Sequence, residues 1–263
     1  MELDLAGKRV LVTGASRGIG LAVVDAFLAE GAEVIAVSRK STPELAATGA
    51  RFVAADLTDP DAPDQVLDAA LAEDRRLDVL VNNAGGGSPA DDAELVDPIG
   101  GSARTWTTIL ALNLGAAVEM TRAALPALSH ARGSVVNISS TAARNPHAIP
   151  LSYAASKAAL NAFTRGLAEK FPDTGVRVNA VTPGGTRTAM MTAPDGYLGR
   201  LSTVLGVGHD TLLAAMPEQS GIVTGALVDP SEIARAVLLL AAPSMSSAVG
   251  SNWVVDGGTL KAA

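Results

Sequence analysis

The sequence predicts an α/β fold, a single doubly wound parallel sheet with helices on both faces, and three observations predict it. Short β-rich runs alternate with longer Ala- and Leu-rich stretches of helical period along the chain, which is the pattern of repeated βαβ units. Several of the short runs are apolar at consecutive positions, as strands covered on both faces should be. A chain of 263 residues, 48% hydrophobic and 18% charged, can also bury one large core, and no repeat or linker divides it.

Taken in order, the first strand spans 9–13 and passes through a glycine-rich turn into a helix over 20–30. Strands follow at 33–38 and 51–54, then a helix over 61–73 and a strand at 79–82. A long helix over 104–128 leads to a strand at 134–139, and a helix over 153–171 leads to a strand at 176–181. The last helix, 230–241, opens on Pro230-Ser231-Glu232, where proline suits the first turn and the acid favours the positive helix end. A strand at 252–255 closes the pattern. Residues 188–229 break the rhythm, and a connection of that length is expected to be a lid with short helices of its own. Residues 1–263 are therefore expected to form one domain carrying that lid.

Composition excludes several functions. A formal charge of −7 opposes nucleic acid binding over a broad surface. The best apolar run, 236–242, is far too short to span a bilayer, so no membrane association is expected. The N-terminus lacks the basic start and apolar stretch of a signal peptide, which makes the cytoplasm the expected compartment. Without cysteine there is neither a disulfide nor a thiolate ligand, and His130, His147 and His209 are too widely spaced to suggest a metal site.

Two turns carry the first chemistry. Thr13-Gly14-Ala15-Ser16-Arg17-Gly18-Ile19-Gly20 joins the first strand to its helix. Glycines there permit a tight turn, close approach of a pyrophosphate and close helix–strand packing, and the helix start offers free N–H groups to the anion. The plain alternative is an ordinary βα turn. At the end of the second strand stand Ser38, Arg39 and Lys40, with no acid to take a ribose 2′-hydroxyl. Arg39 and Lys40, joined by Arg17, suit the 2′-phosphate of NADPH instead, although a solvated basic turn would look the same. Asp56, after the third strand, is placed either to meet the adenine amino group or to cap the following turn.

Tyr153 and Lys157 lie four residues apart at the start of an Ala-rich helix and project from one face. An ammonium beside a phenol is expected to lower the phenol pKa towards working pH, giving a proton donor for an alkoxide formed by hydride delivery. Ser139 and Ser140 end the preceding strand at the sheet edge where ligands bind in such folds. Taken singly, paired serines are more often a cap, and a Tyr/Lys pair on a helix is more often surface.

With these motifs the chain resembles the classical short-chain dehydrogenase/reductase family over essentially its whole length. The resemblance rests on Thr13 to Gly20, Asn82-Asn83-Ala84-Gly85, Asn113, Ser140, Tyr153 with Lys157, Pro183-Gly184 and Asp256-Gly257-Gly258. It implies a Rossmann fold and an NADPH-dependent oxidoreductase acting on a small carbonyl or alcohol substrate, as a homotetramer or homodimer. Spacing within the family selects Ser140 over Ser139 as the ligand of the substrate oxygen. Tyr153 would transfer the proton, Lys157 would bind the nicotinamide ribose, and Asn113 would hold a water linking Lys157 to solvent. The cofactor contacts implied are Gly14, Ser16, Arg17, Gly18, Ile19, Gly20, Ser38, Arg39, Asp56, Leu57, Asn83, Ala84, Gly85, Tyr153, Lys157, Pro183, Gly184, Thr186 and Thr188.

The departures, a Gly/Asp-rich stretch at 86–102 and an enlarged 188–229, fall where substrate is chosen. With aromatics at 3%, a substrate wall would be aliphatic, drawn from residues such as Met190, Met191, Leu198, Leu212 and Met216. His147, between Ser140 and Tyr153, reads as a surface-loop residue. Two other functions stay open at this level: a catalytically silent dinucleotide-binding sensor, and NAD-linked alcohol oxidation. An extended-branch epimerase or dehydratase is disfavoured by the glycine spacing at 14, 18 and 20, and an enoyl reductase by the four-residue spacing of tyrosine and lysine.

Overall fold

Seven runs rich in Val, Leu and Ile become strands because branched side chains pack well on a pleated surface covered from both sides. They are β1 (Arg9–Thr13), β2 (Glu33–Ser38), β3 (Arg51–Ala54), β4 (Val79–Asn82), β5 (Ser134–Ile138), β6 (Arg177–Pro183) and β7 (Asn252–Val255). The computed structural model describes residues 2–72, 74–87, 95–97, 99–146, 150–170 and 172–261. All seven strands are parallel, in the order β3-β2-β1-β4-β5-β6-β7, and the order reverses between β1 and β4. That reversal opens the crevice at the carboxyl ends of the strands in which doubly wound sheets bind ligands.

Alternation along the strands sorts the core into two layers. Val10, Val12, Val34, Ala36, Val81 and Ile138 face α1 (Gly18–Ala29) and α10 (Pro230–Ala241). Leu11, Ile35, Val37, Leu80, Val135 and Val178 face α3 (Ala62–Ala70) and α5 (Ala116–Ala131). A buried polar chain runs through that second layer. The Asn82 amide donates to Thr121 Oγ1 and Asn137 Oδ1, at 3.0 and 2.9 Å, and Asn137 donates to Thr164 Oγ1 at 2.8 Å. Thr164 belongs to α6 (Leu151–Lys170), which brings that helix to the same face. The expected fold class therefore holds.

Some element boundaries differ, each for a local reason. The helix expected over 104–128 arrives as α4 (Ala103–Leu110) and α5, separated by a π-helical turn at Ala111–Gly115. The Asn113 amide there donates to the Ile109 carbonyl at 3.0 Å, a side chain taking an acceptor from the helical ladder. The helix expected over 61–73 closes at Ala70, with Leu71 bonded back to Leu67, and residue 73 lies outside the described residues. A helix missing from the sequence reading, α2 (Pro43–Ala47), is only five residues long and shows no period; Thr42 caps it by accepting from Leu45 N at 3.2 Å.

Between β6 and α10 lie α7 (Ala189–Thr192), α8 (Tyr197–Leu205) and α9 (His209–Gln219). The ends of this segment are joined: Thr186 pairs with Val228 in a parallel bridge, Val228 N donates to Gly185 O at 2.9 Å, and Arg187 N donates to Val228 O at 2.8 Å. Helix α10 starts on a capping box made by Asp229 and Glu232. At its far end the Arg177 guanidinium donates to the carbonyls of Leu240, Ala241, Ala242, Met245 and Ala248. Among the described residues no helix is long and apolar enough to cross a membrane.

Candidate active site

The turns after β1 and β4 are clamped together at the crevice. Thr13 Oγ1 accepts from Asn83 N and Ala84 N at 3.0 and 2.9 Å, and the Asn83 amide donates to Thr13 O and Gly14 O at 2.9 and 3.1 Å. Gly14 takes φ +64°, a left-handed conformation that side chains other than glycine rarely adopt. A Cβ on Gly20 would overlap the Gly14 carbonyl oxygen and stand 2.5 Å from Asn83 Nδ2, so α1 begins pressed against the turn. Arg17, at the N-cap, places no side-chain oxygen on the first amides of α1. Unpaired amides, no Cβ in the way and a helix start aimed at the turn fit the pyrophosphate of a dinucleotide.

Tyr153 stands in the first turn of α6 with Lys157 one turn later, and Ser140 follows β5. Lys157 is 3% exposed; its Nζ donates to Ile138 O at 2.8 Å and lies 5.9 Å from the Tyr153 ring centroid. Burial lowers the Lys157 pKa from 10.5 to about 8. Burial also pushes the Tyr153 phenol up, while the Ser140 hydroxyl bonded to it works the other way. The expectation of a lowered tyrosine pKa is thus corrected for the protein alone: desolvation of the partly buried phenol outweighs the Ser140 hydrogen bond. Ser140 also accepts from Ala142 N at 3.2 Å, capping a short 3₁₀ turn. The neighbouring Ser139 hydroxyl is buried and has no hydrogen-bond partner among the described residues.

Asn113 is buried, and its amide is committed. Oδ1 accepts from Gly86 N at 3.0 Å, and Nδ2 donates to Gly86 O and Ile109 O, both at 3.0 Å. The side chain fastens the chain after β4 to the π-helical turn, a positioning role that the water-holding expectation did not include. A Cβ on Gly85 would lie 2.6 Å from Asn113 Oδ1 and 3.3 Å from Lys157 Nζ, so both groups press on the side of Gly85 where a side chain would stand. The 188–229 segment reaches the same place. Thr188 Cγ2 lies 3.1 Å from the Cβ position of Gly18, and Met190 Cε lies 3.1 Å from that of Gly86. The Cβ position of Gly87 in turn is 3.7 Å from the Tyr153 side chain.

At the turns after β1 and β2, Arg17, Arg39 and Lys40 are exposed, and Ser38 Oγ donates to Lys40 O at 2.8 Å. Asp56 accepts from the hydroxyl and amide of Thr58, at 2.8 and 3.1 Å. Those two bonds, and less strongly the Arg39 guanidinium, hold its carboxyl below the usual value. Asp56 therefore caps its own turn through Oδ1, which leaves Oδ2 for the adenine contact of its other reading. Leu57 and Ile19 pack into the core layers, Leu57 buried and Ile19 partly so. Ser16 is tied to Thr42, and Thr186 turns its hydroxyl to Gly184 O at 2.9 Å. Pro183 ends β6, and a Cβ on Gly184 would meet Asp256. His147 lies outside the described residues, among which no group of three or more His, Asp or Glu is arranged to hold a metal. Sequence reasoning missed Thr42; the Ser-Thr-Pro-Glu run at 41–44, a helix-opening signature, was the available signal for it.

Comparison with known proteins adds to this geometry. A profile described as short chain dehydrogenase matches residues 8–195. The 2,3-dihydro-2,3-dihydroxybenzoate dehydrogenase of Escherichia coli is 33% identical over 260 residues, covering 98% of both chains. A 3-oxoacyl acyl-carrier-protein reductase of Vibrio cholerae is 32% identical over 262 residues, 97% of this chain and 98% of that one. Among solved structures, L-sorbose reductase from Gluconobacter frateurii, complexed with NADPH and L-sorbose, is similar at TM-score 0.88 and 28% identity over 100% of both chains.

Proposed function

The chain belongs to the short-chain dehydrogenase/reductase family, and from that premise we propose that it is an NADPH-dependent reductase converting a ketone to a secondary alcohol. At the coarser level it is an oxidoreductase that exchanges a hydride between a nicotinamide dinucleotide and a C=O/CH–OH pair. The observation that carries NADPH is the pair of exposed arginines, Arg17 and Arg39, at a β2 end that offers no carboxylate to a ribose hydroxyl. The NADPH held by L-sorbose reductase supports the same choice.

The reduced nicotinamide, when bound, supplies the hydride to the carbonyl carbon. Ser140 donates a hydrogen bond to the carbonyl oxygen and orients it. Tyr153 gives its phenolic proton to that oxygen as the C–H bond forms, so the alcohol leaves neutral. Lys157, one turn along α6, carries the charge that steadies the phenolate left behind. Asn113 keeps Gly85 and Gly86 against this group, and Met190 covers Gly86 from the 188–229 segment. In this reading residues 1–263 act as one catalytic domain, 188–229 is its substrate lid, and the enzyme works in the cytoplasm as a homotetramer or homodimer.

The deciding experiment compares kcat/KM with NADPH and with NADH in the wild type and in Arg39→Asp. A charge-assisted bond to phosphate contributes about 1.5–3 kcal/mol, so losing it costs about ten- to a hundredfold of the NADPH preference, and Arg39→Asp, whose carboxylate also repels the phosphate, should reduce it further. A wild type that prefers NADH sinks the proposal.

A further inference from the structure

Resting on the NADPH reading above, we infer that Thr42 is a specificity-determining positioning residue, whose hydroxyl sets the spacing between the two arginines that receive the 2′-phosphate. The arginines sit on separate segments, Arg17 on the turn after β1 and Arg39 on the turn after β2. Between these turns one side-chain cross-link is present: Thr42 Oγ1 donates to Ser16 O at 2.9 Å, across 26 residues. The same oxygen accepts from Leu45 N at 3.2 Å, so both its proton and a lone pair are engaged. Capping alone would need only the lone pair. The donated proton is the part that the five-residue helix α2 does not require.

The consequence falls on Arg17. Ser16 O belongs to the peptide unit that leads into Arg17, an extended residue at φ −162° and ψ 169°. Pinning that carbonyl fixes the peptide plane from which the Arg17 side chain departs. On the other side Pro43 restricts Thr42 to the extended conformation it adopts, φ −118° and ψ 160°, which stiffens the anchor. Ser38 Oγ, bonded to Lys40 O at 2.8 Å, folds the turn carrying Arg39. The cradle is thus two internally braced turns joined by one hydroxyl. A dianion gripped from both sides depends on that junction, whereas a cofactor with a plain 2′-hydroxyl does not.

The test is equilibrium binding of NADPH and NADH, by calorimetry, to the wild type, Thr42→Val, Thr42→Ser and Arg39→Ala, and to Thr42→Val combined with Arg39→Ala. Thr42→Val keeps the side-chain shape and removes the hydroxyl at a surface loop, where the fold should tolerate the loss. It should weaken NADPH by about tenfold and NADH by less than about twofold, and Thr42→Ser should restore the wild-type ratio. On the Arg39→Ala background the same substitution should lose most of its effect, since the grip it maintains is already broken. Equal weakening of both cofactors overturns the inference, because Thr42 would then serve the pyrophosphate turn as a whole. An unchanged ratio in Thr42→Val, with wild-type NADPH preference intact, overturns this inference alone. A wild type without NADPH preference overturns the cofactor reading and this inference together.

Discussion

Replacing Lys157 by methionine should remove a specific pH dependence of stability, and its size follows from the site. Lys157 is 3% exposed, and burial lowers its pKa from 10.5 to about 8. The native protein therefore releases this proton near pH 8, while the unfolded chain keeps it until about pH 10.5. Between those values the unfolded state binds more protons, so stability must rise with pH; below pH 8 the lysine is charged in both states and its burial is a constant penalty. At about 1.4 kcal/mol per pKa unit, the rise between pH 7 and pH 10 amounts to about 2–3 kcal/mol. Tyr153, pushed above its ordinary 10.0, acts in the opposite sense only at higher pH, where the unfolded chain ionises first. The assay is urea unfolding of wild type and Lys157→Met at intervals from pH 7 to pH 10, without cofactor. Because methionine also abandons the bond to Ile138 O, the absolute difference is not the measure; its slope is. Wild type should gain relative to Lys157→Met as pH rises. A difference that stays flat, or falls, refutes the claim that the lysine is charged and desolvated in the native protein.

Two further outcomes follow from single residues. Tyr153→Phe retains the ring and removes the proton donor, so kcat should fall by about a hundredfold or more while calorimetric NADPH affinity stays close to wild type; near-normal turnover would remove Tyr153 from the mechanism. Arg177→Met abandons the five carbonyls beyond and at the end of α10 and should lower the urea-unfolding free energy by about 3 kcal/mol, with no change in the NADPH to NADH ratio.

Much of the architecture was legible because its signals are local. Strands such as 9–13 and 79–82 announce themselves by unbroken Val and Leu, and α10 by Pro230 at its start. The pairing of Tyr153 with Lys157 was legible in the same way, from spacing along one helix, whereas the choice of Ser140 over Ser139 came from the family resemblance. What escaped is non-local. The π-helical turn depends on Asn113 bonding both Ile109 and Gly86, and no periodicity records a partner 27 residues away. Asp56 offered two readings, and only the folded turn shows its Oδ1 taken by Thr58. Spacing alone also pointed the Tyr153 pKa downward, whereas in the protein alone desolvation pushes it up: spacing brings a lysine near but does not record burial.

The small parallel bridge between Thr186 and Val228 has an evolutionary consequence. It closes the two ends of the segment on each other, so α7, α8 and α9 rise from the sheet on a joined stem. An insertion or exchange within the segment does not have to move β6 or α10, and closing a longer loop on the same stem costs only about 0.6 kcal/mol for each doubling of length. Under the proposed reading, selection can therefore remake the segment that would meet a new molecule while leaving Ser140, Tyr153 and Lys157 untouched. One reaction centre can in this way be fitted with many interchangeable crowns.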